Sequence, residues 1–442
     1  MNSILKKRAL ATAVSLVLLG GMGTLHAAVN VQCGENPSID DADGNAILDV
    51  QEDQNPNNDV VTGPNGGTVK CMHLVAGDGF SEMSDGHPMY TFGFADKTGI
   101  LPNDVIAEGI LAARWPGSTI ALDQGDELFL SLTNVGTVMR PDLFDPHTVH
   151  YHGFPNAATV FDGVPEVSIS INMGSTLTYY YNNVEPGTYI YHCHVEATEH
   201  MEMGMLANLY VHPKQDETGC TGAIACAPGT RKVPASGGPT GYVYNDNDGT
   251  TAYDVEAPIQ VSGFDSKFHD AHIQVQPLPF STLETNYPQI NGRGYPDTVL
   301  ELYGSNMTAP QNNDGTPWLP EGEVLNNGEV SQDLGSGISV NQGDKLLLRM
   351  SNVSIDRFFT LTAPGLKMKI IGTGARQTRG ISDKNLYVET SSINFGGGET
   401  HDVIIDTSDV APGTYFLTAS EYYMMSNKTE LDGGLITEIV VN

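Results

Sequence analysis

Apolar and polar positions alternate along TIALDQGDELFLSLTNVG, Thr119 to Gly136, and the alternation breaks once, at a Gly-centred turn. Period two on both sides of a turn predicts strand, turn, strand. LTYYYNNVEPGTYIYHCH has the same form, with its turn over Asn183 to Gly187. The pattern then recurs. ISVNQGDKLLLRMSNVS, Ile338 to Ser354, repeats the first stretch, and APGTYFLTASEYYMM, Ala411 to Met425, repeats EPGTYIYHCHVEATEHM. Helical periodicity is weak throughout. The expectation is an all-β chain built from two tandem Greek-key β-sandwiches, residues 72–213 and 246–442. A linker rich in Gly, Pro, Asn and Asp joins them at 214–245.

The first residues have another character. Lys6, Lys7 and Arg8 precede an apolar run from Leu10 to Leu19, and small residues follow near Ala27. This predicts a Sec signal peptide over residues 1–27, and hence a periplasmic or secreted protein. The run is too short for a stable membrane span, and none is expected in the mature chain. Export makes paired cysteines the default. Five are present. Cys220 and Cys226 close a short loop and are expected to pair, and Cys33 and Cys71 can bracket the N-terminal segment. Cys193 is left over, a thiol that a metal could hold.

Residues 28–71 form a short acidic segment containing DADGNAILDVQE. Asp41, Asp43, Asn45, Asp49 and Glu52 fall at loop positions suited to wrap one calcium ion. Position six is Ala46 where an EF-hand has Gly, so the loop is more similar to thrombospondin type 3 repeats. The net charge of −32 argues against nucleic-acid partners and favours cations.

Six of the 13 histidines fall in two short stretches, DPHTVHYHG and YHCHVEATEHMEMGM. Side chains on a strand alternate faces, so His192 and His194 point one way and Cys193 the other. Cys193, His147, His200 and Met205 can converge inside the sandwich. One thiolate, two imidazoles and a weak thioether suit blue copper. Met201 and Met203 are rival thioethers. His150, His152, His192 and His194 form an outward face able to bind more than one copper ion, given a partner surface. HDAH, His269 to His272, reads as surface polar residues.

These two stretches resemble the copper motifs of multicopper oxidases, the family of laccases, bacterial copper-resistance oxidases and ceruloplasmin. DGVPE, Asp162 to Glu166, and INGRGYP, Ile290 to Pro296, are similar to that family too, and the likeness runs from about residue 72 to 442. The resemblance implies cupredoxin-like sandwiches and an oxidoreductase. Electrons from a donor, a metal ion or a phenol, would enter through exposed His147 or His200. They would pass by Cys193 to a copper cluster on His150, His152, His192 and His194, where O2 is reduced.

Two departures stand out. His200 and Met205 each lie two residues further from Cys193 than in the family, which predicts a bulge or looser loop over Val195 to Glu199. The second copy carries Thr418, Ala419 and Ser420 where the first has His192, Cys193 and His194. The family cluster takes eight histidines and this chain offers four. Completion by another subunit of a homo-oligomer is therefore expected, either across a two-fold axis or in a trimer. The alternatives are a one-copper electron carrier and an enzyme similar to copper nitrite reductases. In the latter, His401 would be the outside ligand.

Overall fold

The structure is a computed structural model and describes residues 67–100, 103–156, 158–182, 185–232, 238–299 and 335–442. The expected leader, Cys33 and the loop of Asp41, Asp43, Asn45, Asp49 and Glu52 lie outside the described residues. Among the described residues no helix is long and apolar enough to cross a membrane.

The first copy contributes eight strands: β1 (Val69–Glu82), β2 (Pro88–Asp96), β3 (Ile120–Asp123), β4 (Glu127–Gly136), β5 (His150–Tyr151), β6 (Thr176–Asn182), β7 (Gly187–His192) and β8 (Leu206–His212). They form two sheets, ordered β2-β1-β4-β6 and β3-β8-β7-β5. Two short strands, β9 (Gly241–Tyr242) and β10 (Ala252–Tyr253), pair in the link. The second copy contributes β11 (Val255–Phe264), β12 (Tyr287–Ile290), β13 (Ile338–Val340), β14 (Lys345–Asn352), β15 (Phe359–Thr362) and β16 (Met368–Thr373). It continues with β17 (Arg376–Gln377), β18 (Val388–Thr390), β19 (Ser392–Phe395), β20 (Thr400–Asp406), β21 (Gly413–Ala419) and β22 (Ile436–Val441). Its sheets run β12-β11-β14-β20-β16-β17, with β18 beside β16, and β13-β22-β21-β15-β19.

The two copies share one plan. β1 runs parallel to β4 and β3 to β8; β11 runs parallel to β14 and β13 to β22. The turn glycines Gly125 and Gly343 adopt φ +99° and +101°, a region where a side chain is strained. Deeper evidence is a repeated side-chain network. Asn134 lies buried near the end of β4, donating its amide to the carbonyls of Asp145 and Ile171, and its Oδ1 accepts from Gly136 N–H. Asn352 ends β14 and does the same to Phe395 C=O and from Ser354 N–H. In the first copy this clamp fixes the start of the histidine-bearing segment.

Alternation in β4 sends Leu128, Leu130 and Leu132 into the first core. β14 is buried on both faces. Leu346, Leu348 and Met350 enter the second core, and Leu347 packs with Val243, Tyr244, Tyr253, Ile371 and Ile404. A third apolar cluster, with Trp115, Ile190, Leu206, Phe264, Tyr287 and Val353, joins the sandwiches. Trp115 Nε1 donates across it to Gln289 Oε1 at 2.7 Å. The described residues of 214–245 are held by specific contacts. Buried Asp216 accepts from Tyr242 N–H and pairs with Arg231, and Cys220 and Cys226 form the expected disulfide. Cys71 is disulfide-bonded as well.

Buried neutral histidines make the fold acid-sensitive. His73 Nε2 lies 2.7 Å from Thr133 Oγ1 between β1 and β4, and burial lowers its pKa from 6.5 to about 4. As pH falls below 6.5 the unfolded chain takes up a proton that the folded chain refuses, so stability is lost. His73→Gln is expected to remove about 2 kcal/mol of the loss between pH 7 and 4.5. Denaturant midpoints at the two pH values measure it; equal losses in both proteins would refute the assignment.

Candidate metal centre

Strand pairing sets the site. β5 and β7 are antiparallel with His150 opposite His192, and one pair of isolated-bridge hydrogen bonds ties His147 to Ile171. Cys193 directly follows β7, and its N–H donates to Met205 C=O at 3.0 Å. Met205 N–H donates to His200 C=O at 2.9 Å. One backbone path therefore holds three of the expected ligands together. The two extra residues are not a bulge. Glu196 takes a left-handed conformation, φ 45°, and opens a helix over Ala197–Glu202 that carries His200. The added turn absorbs the longer spacing.

The thiol of Cys193 lies 3.3 Å from His200 Nδ1 and 3.8 Å from His147 Nδ1. Ligand atoms of all three fall within 4.8 Å of one another, and all three are buried. Met205 is buried in the same core as Cys193. Met203 is buried there too, but its carbonyl accepts from Phe92 N–H, and Met201 borders a different cleft. The buried Nε2 atoms of His147 and His200 have no hydrogen-bond partner. A soft thiolate between two imidazoles fits copper. Burial, aided by His200, holds His147 well below its ordinary pKa. Burial also opposes charge on His200, but Cys193 and Asp145 outweigh it and push its pKa up to about 10.

One expectation fails here. His147 and His200 are not exposed; their relative exposures are 1% and 0%. The apolar sandwich interior closes over His147, and Asp145 and Glu196 cover His200. HDAH is not on the surface either. His269 and His272 lie on a second-copy helix, Ser266–Ile273, and both are buried at the junction of the sandwiches. His269 Nδ1–H donates to Tyr90 C=O at 2.6 Å, and His272 contacts Phe92 edge-on.

The other four histidines gather on the far side of Cys193. Ligand atoms of His150, His152 and His192 lie within 4.8 Å of one another. His194 stacks beside them, its ring 5.0 Å from that of His150 and 5.6 Å from that of His192. His150 Nδ1 donates to Asp162 C=O and His192 Nδ1 to Cys193 C=O, which turns their Nε2 atoms toward a metal; His192 Nε2 lies 3.3 Å from His152 Nδ1. Burial lowers the pKa of His150, His152 and His192, the last to about 3, so all three stay neutral, the state that ligates.

This face is not a free outward surface. His152 and His192 line a cleft of about 450 Å³ whose opposite wall is the second sandwich: Asp356, Arg357, Phe358, Gly398 and Glu399. Gly398 packs so closely that a Cβ there would sit 2.9 Å from His152 Nε2. Among the described residues the wall supplies carboxylates and no imidazole. Strand register explains why. Thr362 faces Thr418 as His150 faces His192, so Pro364 and Ala419 stand at the places of His152 and Cys193.

Two family models, both described as multicopper oxidase, match residues 105–216 and 293–442, together more than half of the chain. The chain belongs to the multicopper oxidase family. Among curated relatives, the L-ascorbate oxidase of Cucurbita pepo var. melopepo is 32% identical over 119 residues, 26% of this chain and 19% of that protein. The multicopper oxidase MmcO of Mycobacterium tuberculosis is 36% identical over 80 residues, 18% of this chain and 14% of that protein. The matched stretches thus span less than a fifth of these relatives. The solved Blue Copper Oxidase from Nitrosomonas europaea shares 21% identity over 84% of this chain and 86% of that one, with a TM-score of 0.55. The multicopper oxidase mgLAC shares 19% over 85% and 87%, also at 0.55. These likenesses extend the multicopper oxidase fold across both sandwiches.

Proposed function

We propose that this chain is an exported copper oxidoreductase that takes electrons from a donor beside His200 and delivers them, through Cys193, to dioxygen at a four-histidine face. The observation that carries the reading is the juxtaposition at Cys193. Its sulfur faces His147 and His200, while its two chain neighbours, His192 and His194, belong to the other group. A few covalent bonds therefore join the two sets of ligands. Bound copper would supply the one-electron redox chemistry. The chain supplies the rest: a buried thiol, Met205 beside it, and neutral imidazoles held in place by Asp162 and Cys193 carbonyls.

Four imidazoles invite completion. Among the described residues the facing wall of the cleft offers Asp356 and Glu399 instead. A second copy of the chain is proposed to complete the set, which makes the protein a homo-oligomer. The loop of Asp41, Asp43, Asn45, Asp49 and Glu52 is proposed to hold a structural calcium ion after export.

Copper content, absorption spectrum and native mass on one sample test the reading. More than one copper per chain, a blue band, an oligomeric mass and oxygen uptake with a phenol or ferrous ion are the expected results. A single copper in a monomer without oxygen uptake would overturn it and leave an electron carrier.

A further inference from the structure

The interior of the first sandwich carries four tyrosines that belong to neither set of ligands. Tyr151 lies between His150 and His152 in the chain, and Tyr191 precedes His192; strand alternation turns the histidines out and the tyrosines in. Tyr179 and Tyr181 come from β6, on the other sheet. All four are fully buried and share one core with Cys193. Their rings form a column. Tyr179 and Tyr181 lie 6.0 Å apart, Tyr181 and Tyr151 stack at 3.8 Å with planes 5° apart, and Tyr151 lies 6.2 Å from Tyr191. Val149, the residue before His150, holds the start of the column: its N–H donates to the Tyr179 hydroxyl at 3.2 Å, and its C=O accepts from Tyr181 O–H at 3.3 Å. Tyr191 O–H ends it, donating at 2.6 Å to the C=O of half-buried Ser118.

Packing does not account for these residues, because the second copy has the same strands without them. Val403 and Ile405 stand at the places of Tyr179 and Tyr181, opposite Leu348 and Leu346 as those stand opposite Leu130 and Leu128. Ala363 and Leu417 stand at the places of Tyr151 and Tyr191, one step beyond the pair Thr362 and Thr418 that matches His150 and His192. All four replacements are wholly buried aliphatic residues. The copy without imidazoles thus fills the same core without a phenol. Tyr151 O–H has no hydrogen-bond partner, and a buried hydroxyl in that state is destabilising. Tyr189, by contrast, has a twin in Tyr415: each donates to the carbonyl four residues earlier, a structural bond kept in both copies.

We propose that Tyr179, Tyr181, Tyr151 and Tyr191 are an electron reserve for the four-histidine face, used when the donor runs short before dioxygen is fully reduced. This rests on the dioxygen reading of that face and adds a function to it. Dioxygen that has taken two electrons and two protons stands at the level of hydrogen peroxide. Two tyrosines then give one electron and one phenol proton each: H2O2 + 2 Tyr–OH → 2 H2O + 2 Tyr–O•. The O–O bond breaks, the oxygen is reduced, and two phenols become neutral radicals. Fresh donor returns one electron to each radical and solvent one proton, by way of the Tyr191 edge, which restores the phenol. Without the reserve the same oxidant attacks the histidines beside it.

Copper-loaded protein is reduced with less donor than dioxygen requires, mixed with dioxygen and frozen for paramagnetic resonance. A narrow organic-radical line is expected, with a splitting that changes when ring-deuterated tyrosine is incorporated. In Tyr151→Phe/Tyr191→Phe the line is expected to fall at least tenfold, while the initial rate with excess donor stays at the native value. The Tyr151 change removes a hydroxyl that has no partner, so the fold is retained. Over repeated donor-poor cycles the double variant is expected to gain oxygen on its histidines severalfold faster, read by peptide mass. Tyr415→Phe, in the second copy, is expected to change none of these. Oxygen uptake without a radical, a radical of equal yield in the double variant, or equal histidine oxidation in both proteins overturns the reserve and leaves the oxidase reading standing. So does a lower initial rate in the double variant, which places the tyrosines on the ordinary electron path. If no donor drives oxygen uptake, hydrogen peroxide is added to the same copper-loaded protein. A tyrosine radical lost in the double variant then keeps the reserve while the dioxygen reading falls, and its absence overturns both.

Discussion

Cys193→Ala is expected to abolish the blue absorption band and to cut turnover at least roughly a thousandfold, equivalent to about 4 kcal/mol on the barrier, while the sandwich still folds. The chain contains its own control. Ala419 holds the corresponding position in the second copy, buried at 1% exposure in a strand with the same pairing. A small apolar residue is therefore compatible with this strand end. Serine would be a poorer choice, because a buried hydroxyl without a partner costs about 1–3 kcal/mol. Absorption, copper content and oxygen uptake measured with circular dichroism separate lost chemistry from lost structure. Turnover that survives the alanine change would mean that Cys193 does not carry the electrons.

Arg349→Ala is expected to destabilise the protein by about 3–5 kcal/mol, the cost of stranding buried charge. Arg349 is wholly buried where the sandwiches meet. It contacts Glu256, donates to Thr188 Oγ1 at 3.0 Å and lies 3.4 Å from Asp402 Oδ1, with its guanidinium over the Tyr210 ring. Thr188 belongs to β7, the strand that leads to Cys193, so the network couples the junction to the site. Burial would raise the pKa of Glu256, but Arg349 and His212 outweigh it and hold the carboxyl well below its ordinary value. A depressed carboxyl gives stability that is present above its unfolded pKa, near 4.5, and lost as pH falls further. The alanine variant should therefore show less acid dependence than the native protein. Denaturant titration measures the loss. The double change Glu256→Gln with Arg349→Met is expected to recover part of it, since removing both charges leaves neither stranded. No recovery would place the loss in packing rather than charge.

The duplication was legible because its marks are local: a turn glycine, an Asn at a strand end and alternation of Leu. Gly125 and Gly343, and Asn134 and Asn352, occupy matching positions with matching bonds. Grouping the histidines needed only the two-residue period of a strand, and Cys193 does fall opposite His192 and His194. What was not legible depends on partners distant in sequence. His269 and His272 looked like surface residues because isolated polar residues default to solvent. Their partners, Tyr90 and Glu199, come from the other sandwich. The cover over His200 was hidden for the same reason: Asp145 precedes it by 55 residues, and only the fold brings the two together. Two extra residues between Cys193 and His200 can be absorbed by a bulge or by a helical turn, and spacing alone does not choose. The buried face of the helix chooses, through His200 and Glu202.

The contact of Gly398 with His152 bears on how the two halves could have diverged and still work together. Gly396, Gly397 and Gly398 present bare backbone to the cleft, and Gly398 has φ +84°, so a side chain there is disfavoured by conformation as well as by space. The second sandwich carries Thr362, Thr418 and Ser420 where the first carries His150, His192 and His194, yet it keeps a moulded fit to an imidazole of the first. Such a half is a gauge rather than a spare: a slip of the junction by the width of a methyl group would be registered at His152 first. An infrared or resonance label on that one ring would read out the relative motion of the two sandwiches.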